Sequence, residues 1–362
     1  MAPCDHALPY IRAISPYQPG KPISQLAREM GLVESEIVKL ASNENPLGMS
    51  PKARLAVERA IGNLARYPDD FVLKQALAER SSLGSEHIVL GNGSNDVLDL
   101  VARVLLAPGR SAVFAQYAFA VYPLATRSTG AEPIAVAASD YGHDLAAMLA
   151  AIRPDTRLVW IANPNNPTGT FVPYGELRAF IEAVPEEVVV VLDEAYNEYL
   201  RPSEHVDTTA WLADFGNLVI TRTFSKIYGL AGLRVGYALT SADLADLMNR
   251  VRQPFNCNNL ALAAASAALD DHEFVARSHE LNRAGMEQLV GGLKRLGCTH
   301  IPAHGNFVSF HVGEAAGVNQ RLLGRGVIVR PLAAYGMPEW LRVTIGSERE
   351  NRRFLAALEA SL

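Results

Sequence analysis

Cysteine is scarce in this 362-residue chain: Cys4, Cys257 and Cys298 stand far apart and share no paired spacing. That excludes a disulfide framework and a thiolate metal site, and it fits a reducing compartment, expected here to be the cytoplasm. Long apolar runs are missing too; none approaches the ~18 residues that suggest a membrane-spanning helix. The segment Met1 to Tyr10 lacks a basic stretch followed by an apolar run, so no signal peptide is expected. Positive charge is not in excess: 33 Lys and Arg stand against 38 Asp and Glu, a net charge of −5. Such a balance advertises neither a nucleic-acid nor a membrane partner, and any anion must be met by locally placed cations. Internal repeats and low-complexity linkers are absent as well.

What is present is a chain long enough for roughly two domains at ~150 residues each. It opens on an irregular arm in which Pro9, Pro16, Pro19, Gly20 and Pro22 crowd together. A short amphipathic helix over Ser24–Glu29 and a polar, turn-rich loop Ala41–Gly48 follow, then a helix from Pro51 to Leu64. From Ile88 onward short apolar runs alternate with helical stretches. The expected strands are Ile88–Leu90, Ser111–Phe114, Glu132–Val136, Leu158–Ile161, Val188–Leu192, Leu218–Thr221 and Val235–Leu239. Helices fit at Asp96–Leu106, Leu145–Ala151 and Tyr174–Val184, and the alternation predicts a largely parallel α/β sheet. After Arg250 the texture changes. A long helical region, Leu260–Leu296, with Gly285, Gly291 and Gly292 as weak points, leads to strands near Phe307–His311, Val327–Arg330 and Leu341–Ile345. A helix over Glu348–Ala360 closes an α+β second unit.

Four polar clusters interrupt the apolar strand ends, where open α/β sheets place their ligands. Gly91-Asn92-Gly93-Ser94-Asn95-Asp96 follows a strand and opens a helix, so its free N–H groups suit a phosphate. Asp96 occupies the third glycine position of a dinucleotide fingerprint, and the run lacks the Gly-Lys-Ser/Thr of a P-loop. A glycine turn with only a capping role is the plain alternative. Asn163-Pro164-Asn165-Asn166-Pro167-Thr168-Gly169 makes a rigid turn that can hold Asn166 at a fixed angle. Asp193-Glu194-Ala195-Tyr196 puts an acid at the end of a buried strand, which is costly unless paired, unless it serves as a simple helix cap. In Thr223-Phe224-Ser225-Lys226 the lysine sits among hydroxyls and glycines directly after a strand. A lysine in a partly dry pocket beside a cation has a lowered pKa and can form a Schiff base with an aldehyde, whereas a lone lysine is normally solvated.

Together and in this order, the clusters resemble the fold-type-I aminotransferases that use pyridoxal 5′-phosphate (PLP). The likeness runs from Asn43 to Arg342. It is carried by Asn166-Pro167-Thr168-Gly169, Asp193-Glu194-Ala195-Tyr196, and Ser225-Lys226 with Gly229 and an arginine, Arg234, eight positions after the lysine. Within that group the chain is most similar to the histidinol-phosphate aminotransferases, on Ala41–Gly48, Arg66-Tyr67-Pro68, Thr223–Arg234, Arg330 and Leu341–Gly346. The resemblance implies an aspartate aminotransferase-like α/β fold, with a mainly parallel large domain and a smaller α+β domain. It implies an N-terminal arm over 1–44 packed with the small domain, a large PLP-binding domain over 45–250 and a small C-terminal domain over 251–362.

It also implies roles. Lys226 would hold the cofactor and shuttle the substrate proton, Asp193 would pair with the pyridinium nitrogen, and Asn166 and Tyr196 would bond the phenolic oxygen. Ser94, Asn95, Thr223, Ser225 and Arg234 would bind the cofactor phosphate. Phe119 or Tyr117 would stack on the ring, Phe119 fitting better by its distance from Tyr122. Tyr67 would reach the cofactor of a partner subunit, making the enzyme a homodimer. Arg342 would grip the α-carboxylate and Arg330 the phosphate or distal acid of the substrate, while Arg330 as a bare strand-end cation is the plain alternative. Asn256 is either a substrate contact or a helix cap. His300, His304 and His311 lack the carboxylate or cysteine spacing of a metal site, and Cys257 is given no chemistry.

The implied reaction is amino transfer from histidinol phosphate to 2-oxoglutarate, giving imidazole-acetol phosphate and glutamate, in histidine biosynthesis. Aromatic amino-acid transamination and a decarboxylation of the threonine-phosphate type share most of these motifs. A PLP-sensing transcription regulator would need a DNA-binding domain that the short arm before Ala41 does not accommodate. A nicotinamide-dependent dehydrogenase fails on the missing glycine.

Overall fold

The apolar runs of the first two thirds of the chain assemble into one central sheet. The computed structural model describes residues 2–362; Met1, the first residue of the segment read for a leader, lies outside the described residues. Strand β1 (Val38–Lys39) belongs to the arm. The sheet is built from β2 (Ile88–Gly91), β3 (Ser111–Ala115), β4 (Glu132–Val136), β5 (Thr156–Ala162), β6 (Val189–Asp193), β7 (Leu218–Thr223) and β8 (Gly236–Thr240). Its order is β2-β8-β7-β6-β5-β3-β4, and all neighbours run parallel except β8, antiparallel to both β2 and β7. Strands β5 and β6 are apolar on both faces because helices cover both, the usual condition of a parallel sheet. One cluster, around Val159, Ile161, Val190 and Leu192, packs under the sheet. The other, around Trp160, Val191, Val219 and Ala238, packs over it.

Helices at Phe71–Ser81, Val121–Ser128, Ala242–Val251 and Ala315–Gly324 are not assigned by the sequence reading. Phe71–Ser81 shows why: it buries Leu73, Leu77 and Ala78 while exposing Phe71 and Val72, so its apolar residues do not share one face. The expected helix Leu260–Leu296 is two helices, Asn259–Leu269 and His272–Arg295, and it breaks at Asp270-Asp271 rather than at a glycine. Gly285 and Gly292 sit inside the second helix because close neighbours leave no room for a side chain. A Cβ on Gly285 would strike Ile345, and one on Gly292 would strike Leu355 of the closing helix Glu348–Glu359. The first of the two helices, expected with the C-terminal unit, packs instead on Pro51–Ala60. Its buried Ala261, Ala264, Ala265 and Ala268 join the cluster under the large sheet.

The C-terminal strands are β9 (Phe307–His311), β10 (Val327–Ile328), β11 (Arg330–Pro331) and β12 (Trp340–Thr344). They form an antiparallel sheet of order β11-β12-β9, while β10 pairs in parallel with β1 of the arm. Leu40 N–H donates to Ile328 O and Leu40 O accepts from Thr344 N–H, both at 2.8 Å, so the arm is stitched to this unit just before Ala41.

Candidate active site

The carboxyl ends of β3, β5, β6 and β7 open into one cavity, which the arm and the C-terminal sheet close from the other side. At one end, Gly93 (φ +82°) caps the helix Ser94–Leu105 without a side-chain bond, leaving first-turn N–H groups of Ser94 and Asn95 toward the cavity. Any side chain on Gly93 would collide with the Arg234 guanidinium. Arg234, itself at φ +57°, donates to Ala231 O at 3.0 Å and to Ser225 Oγ at 3.4 Å, and Thr223 lines the same end. A guanidinium, hydroxyls and a helix N-terminus together suit a dianion.

Lys226 follows β7. Its Nζ donates to Ser42 O at 3.1 Å and lies 5.7 Å from the centre of the Tyr196 ring, and it makes no ion pair with a carboxylate among the described residues. Burial, and then the positive charges of Arg342 and Arg234 against the opposing pull of Glu44 and Asp193, bring its pKa down to about 8. A substantial share of neutral amine, a nucleophile toward carbonyls, follows from that.

Asp193 ends β6. The Tyr122 hydroxyl donates to its Oδ2 at 2.8 Å and Ala195 N–H to its Oδ1 at 3.2 Å. Burial raises the carboxyl pKa, while the bonds from the Tyr122 hydroxyl and the Ala195 N–H oppose the rise. The adjacent Glu194 is satisfied differently: Arg222 bonds it at 2.8 Å and Thr208 Oγ donates at 2.7 Å. One acid of the pair is thus held within the protein and the other faces the cavity.

The turn after β5 is held the same way. Asn163 exchanges two bonds with Val172, at 2.8 and 2.9 Å, and Asn165 donates to Thr168 Oγ at 2.7 Å and Tyr117 O at 2.9 Å. Asn166 is left for the cavity, where its Oδ1 accepts from Arg342. Tyr196 accepts from Asn43 Nδ2 at 2.9 Å, and burial raises its pKa to about 12.

From the C-terminal sheet come Arg330 and Arg342, paired in register across β11 and β12. Arg342 donates to Ala41 O at 2.9 Å, lies 5.1 Å from the Phe307 ring centre and keeps a buried Nε without a partner. Arg330 lies 5.2 Å from the ring centre of Tyr17, and Tyr335 lines the cavity with them.

Of the residues named from sequence, Ser94, Asn95, Phe119, Asn166, Asp193, Tyr196, Thr223, Ser225, Lys226, Arg234, Arg330 and Arg342 all line this cavity. Tyr117 does not; it stacks on Tyr141 at 5.8 Å. Tyr67 lies on the surface, 80% exposed and stacked on Phe255 at 4.5 Å. Asn256 also lies outside this chain's own cavity. Its amide donates to Leu90 O at 3.0 Å and Asp96 Oδ2 at 2.7 Å and accepts from Arg252 at 2.8 Å, while the helix cap is Asn258. The sequence reading misses Tyr17, Ser42, Asn43, Tyr122 and Tyr335. Only Ser42 and Asn43 carry a local signal, as polar residues in the turn-rich loop before Pro46.

Among the described residues no group of three or more His, Cys, Asp or Glu could hold a metal ion, and no helix is long and apolar enough to cross a membrane. The histidines meet acids singly: His304 lies 3.4 Å from Glu204 and His311 3.3 Å from Glu339.

Histidinol-phosphate aminotransferase 1 of Dechloromonas aromatica is 72% identical over 362 residues, covering 100% of both chains. That of Thiobacillus denitrificans is 63% identical, over 99% of this chain and 95% of the relative. The crystal structure of histidinol-phosphate aminotransferase from Sinorhizobium meliloti, in complex with pyridoxal-5′-phosphate, superposes with a TM-score of 0.88 at 27% identity, covering 98% of this chain and 97% of the other. The aspartate aminotransferase of Thermus thermophilus shares the fold, with a TM-score of 0.84 at 22% identity over 98% of both chains. The family model for aminotransferase class I and II matches residues 35–358, and the chain belongs to that family.

Proposed function

We propose that this chain is a PLP-dependent aminotransferase of histidine biosynthesis, moving the amino group of histidinol phosphate to 2-oxoglutarate to give imidazole-acetol phosphate and glutamate. The observation that carries this reading is the facing pair Arg330 and Arg342 in one cavity with Lys226. Two cations directly opposite on adjacent strands repel each other, so their joint burial is best accounted for by anionic substrates. Glutamate brings two carboxylates, and histidinol phosphate brings a phosphate for Arg330.

The donor set fits the cofactor. Arg234, Ser225, Thr223 and the helix start at Ser94 would hold its phosphate, Phe119 would cover the ring, Asp193 would pair with the ring nitrogen, and Asn166 and Tyr196 would bond its phenolic oxygen. When bound, the cofactor supplies an electron sink for the bonds at the substrate α-carbon. Lys226 supplies the amine that anchors it, and its Nζ then carries the proton to and from that α-carbon; a pKa of about 8 suits both tasks near neutral pH. The anionic form of Asp193, disfavoured by burial alone, gains from a cationic ring nitrogen. Arg342 orients the α-carboxylate of glutamate.

A homodimer completes the site in this reading, with Tyr67 reaching the partner's cofactor. Exposed apolar side chains support it: Ile61, Leu64, Tyr67, Phe71, Val72 and Phe255 are each more than half exposed, and Tyr67 stacks on Phe255. Three free cysteines suit the cytoplasm. The test is a half-reaction screen of the cofactor-loaded protein against histidinol phosphate, phenylalanine, tyrosine and threonine phosphate, read by the cofactor spectrum. Fastest conversion by histidinol phosphate supports the assignment; preference for phenylalanine or tyrosine would replace it with aromatic transamination.

A further inference from the structure

Asn43 is almost wholly buried, and its backbone is left-handed at φ +54°, a conformation that asparagine tolerates better than most residues. Four bonds hold it there. Its N–H donates to Thr344 Oγ at 2.9 Å, its O accepts from Asn306 Nδ2 at 3.0 Å, its Oδ1 accepts from Thr344 Oγ at 3.1 Å, and its Nδ2 donates to Tyr196 Oη at 2.9 Å. The amide is placed with its oxygen toward the Thr344 hydroxyl, which donates to it, and with its NH₂ toward Tyr196. Tyr196 Oη is therefore an acceptor on the Asn43 side, and its own proton has no protein acceptor among the described residues. That proton is free for a group inside the cavity. The bond from Asn43 also polarises the O–H and strengthens it as a donor.

We propose that Asn43 is a positioning residue that fixes the Tyr196 hydroxyl as a hydrogen-bond donor toward the group bound beside Lys226. The proposal rests on the reading above, in which Lys226 carries the cofactor and Tyr196 meets its phenolic oxygen. Asn43 also ties this donor to β12, because Thr344 stands two residues from Arg342 and Ala41 O and Ser42 O accept from Arg342 and Lys226. A donor to the phenolic oxygen draws charge from it and weakens its hold on a proton at the neighbouring Lys226 nitrogen. Losing the donor should raise the pH at which that nitrogen deprotonates in the holoenzyme. The charged groups facing Lys226 are Arg342, Arg234, Glu44 and Asp193; Tyr196 faces Arg342, Asp193 and Tyr335 as well, and Asn43→Gly alters none of them.

The experiment is the pH titration of the visible absorbance of the holoenzyme for wild type, Asn43→Gly, Tyr196→Phe and the double variant, with Tm recorded for each. Glycine keeps the left-handed backbone available. Asn43→Gly should move the midpoint up by about half to one pH unit, the worth of one hydrogen bond. Tyr196→Phe should move it at least as far, and adding Asn43→Gly to Tyr196→Phe should move it no further. Thr344→Val, which releases the amide without altering the arm sequence, should shift it in the same direction if Asn43→Gly does not fold. An unmoved midpoint in a folded Asn43→Gly protein, or an equal increment in both backgrounds, overturns the proposal. Wild-type protein without a pH-dependent absorbance on Lys226 overturns the functional reading and this proposal together.

Discussion

Arg330 and Arg342 stand directly opposite one another on adjacent antiparallel strands, both buried, and neither makes an ion pair with a carboxylate among the described residues. If Arg330 meets the phosphate of histidinol phosphate, its charge-assisted bonds contribute about 1.5–3 kcal/mol each. Arg330→Ala should then lower kcat/KM for histidinol phosphate by about 10- to 100-fold or more and leave that for phenylalanine nearly unchanged. Steady-state kinetics on both substrates checks this. Equal losses would assign Arg330 to the fold or to the shared carboxylate.

Tyr122→Phe isolates the bond to Asp193. The phenyl ring can keep the stack on Trp160, whose centroid lies 5.2 Å away at an interplanar angle of 1°, so packing changes little. The lost donor had opposed the upward push of burial, so Asp193 should take up a proton at higher pH. The acid limb of the kcat profile should move to higher pH, and kcat should fall by about 10- to 100-fold, as expected for one charged hydrogen bond. An unaltered pH profile would show that Tyr122 only packs.

The shared site is tested by mixing. A Lys226→Ala chain and a Tyr67→Phe chain, each impaired alone, should form hybrid dimers in which one of the two sites carries neither lesion. Activity above both parents is expected once hybrids are shown to form. Its absence would leave the exposed Tyr67–Phe255 pair to another purpose.

Much of this site was legible because its residues fall where strands end. Asp193 ends β6, Asn166 lies in the turn after β5 and Lys226 follows β7, so each is a polar residue breaking an apolar run. The central strands were legible for the same reason, being apolar on both faces. Tyr122 and Tyr17 carry no such mark: one is an aromatic on a short helix, the other lies among the prolines of the arm, and tertiary packing alone brings them to the cavity. Asn256 stands apart: the polar run after Pro254-Phe255 reads as a ligand contact or a helix cap, and in this chain Asp96, Leu90 and Arg252 take up its amide while Asn258 caps the helix. The helix break at Asp270-Asp271 was hidden by glycines that suggested breaks elsewhere and serve instead to let helices touch.

The lowered pKa of Lys226 has a kinetic consequence in protein stripped of cofactor. Only the neutral amine attacks an aldehyde, and it becomes the major form above about pH 8 instead of near 10.5. Reconstitution with PLP at fixed concentration should therefore speed up between pH 7 and 9 and level off above, with a midpoint near the lowered value. A rate still climbing steeply toward pH 10 would mean an ordinary, solvated lysine.

Borohydride reduction of the yellow holoenzyme, followed by proteolysis and mass mapping, addresses the central claim most directly. The cofactor should be found fixed to the Nζ of Lys226 alone, and Lys226→Ala protein should retain PLP weakly, without covalent label and without turnover. Label on any other lysine, or turnover by Lys226→Ala, would contradict the account.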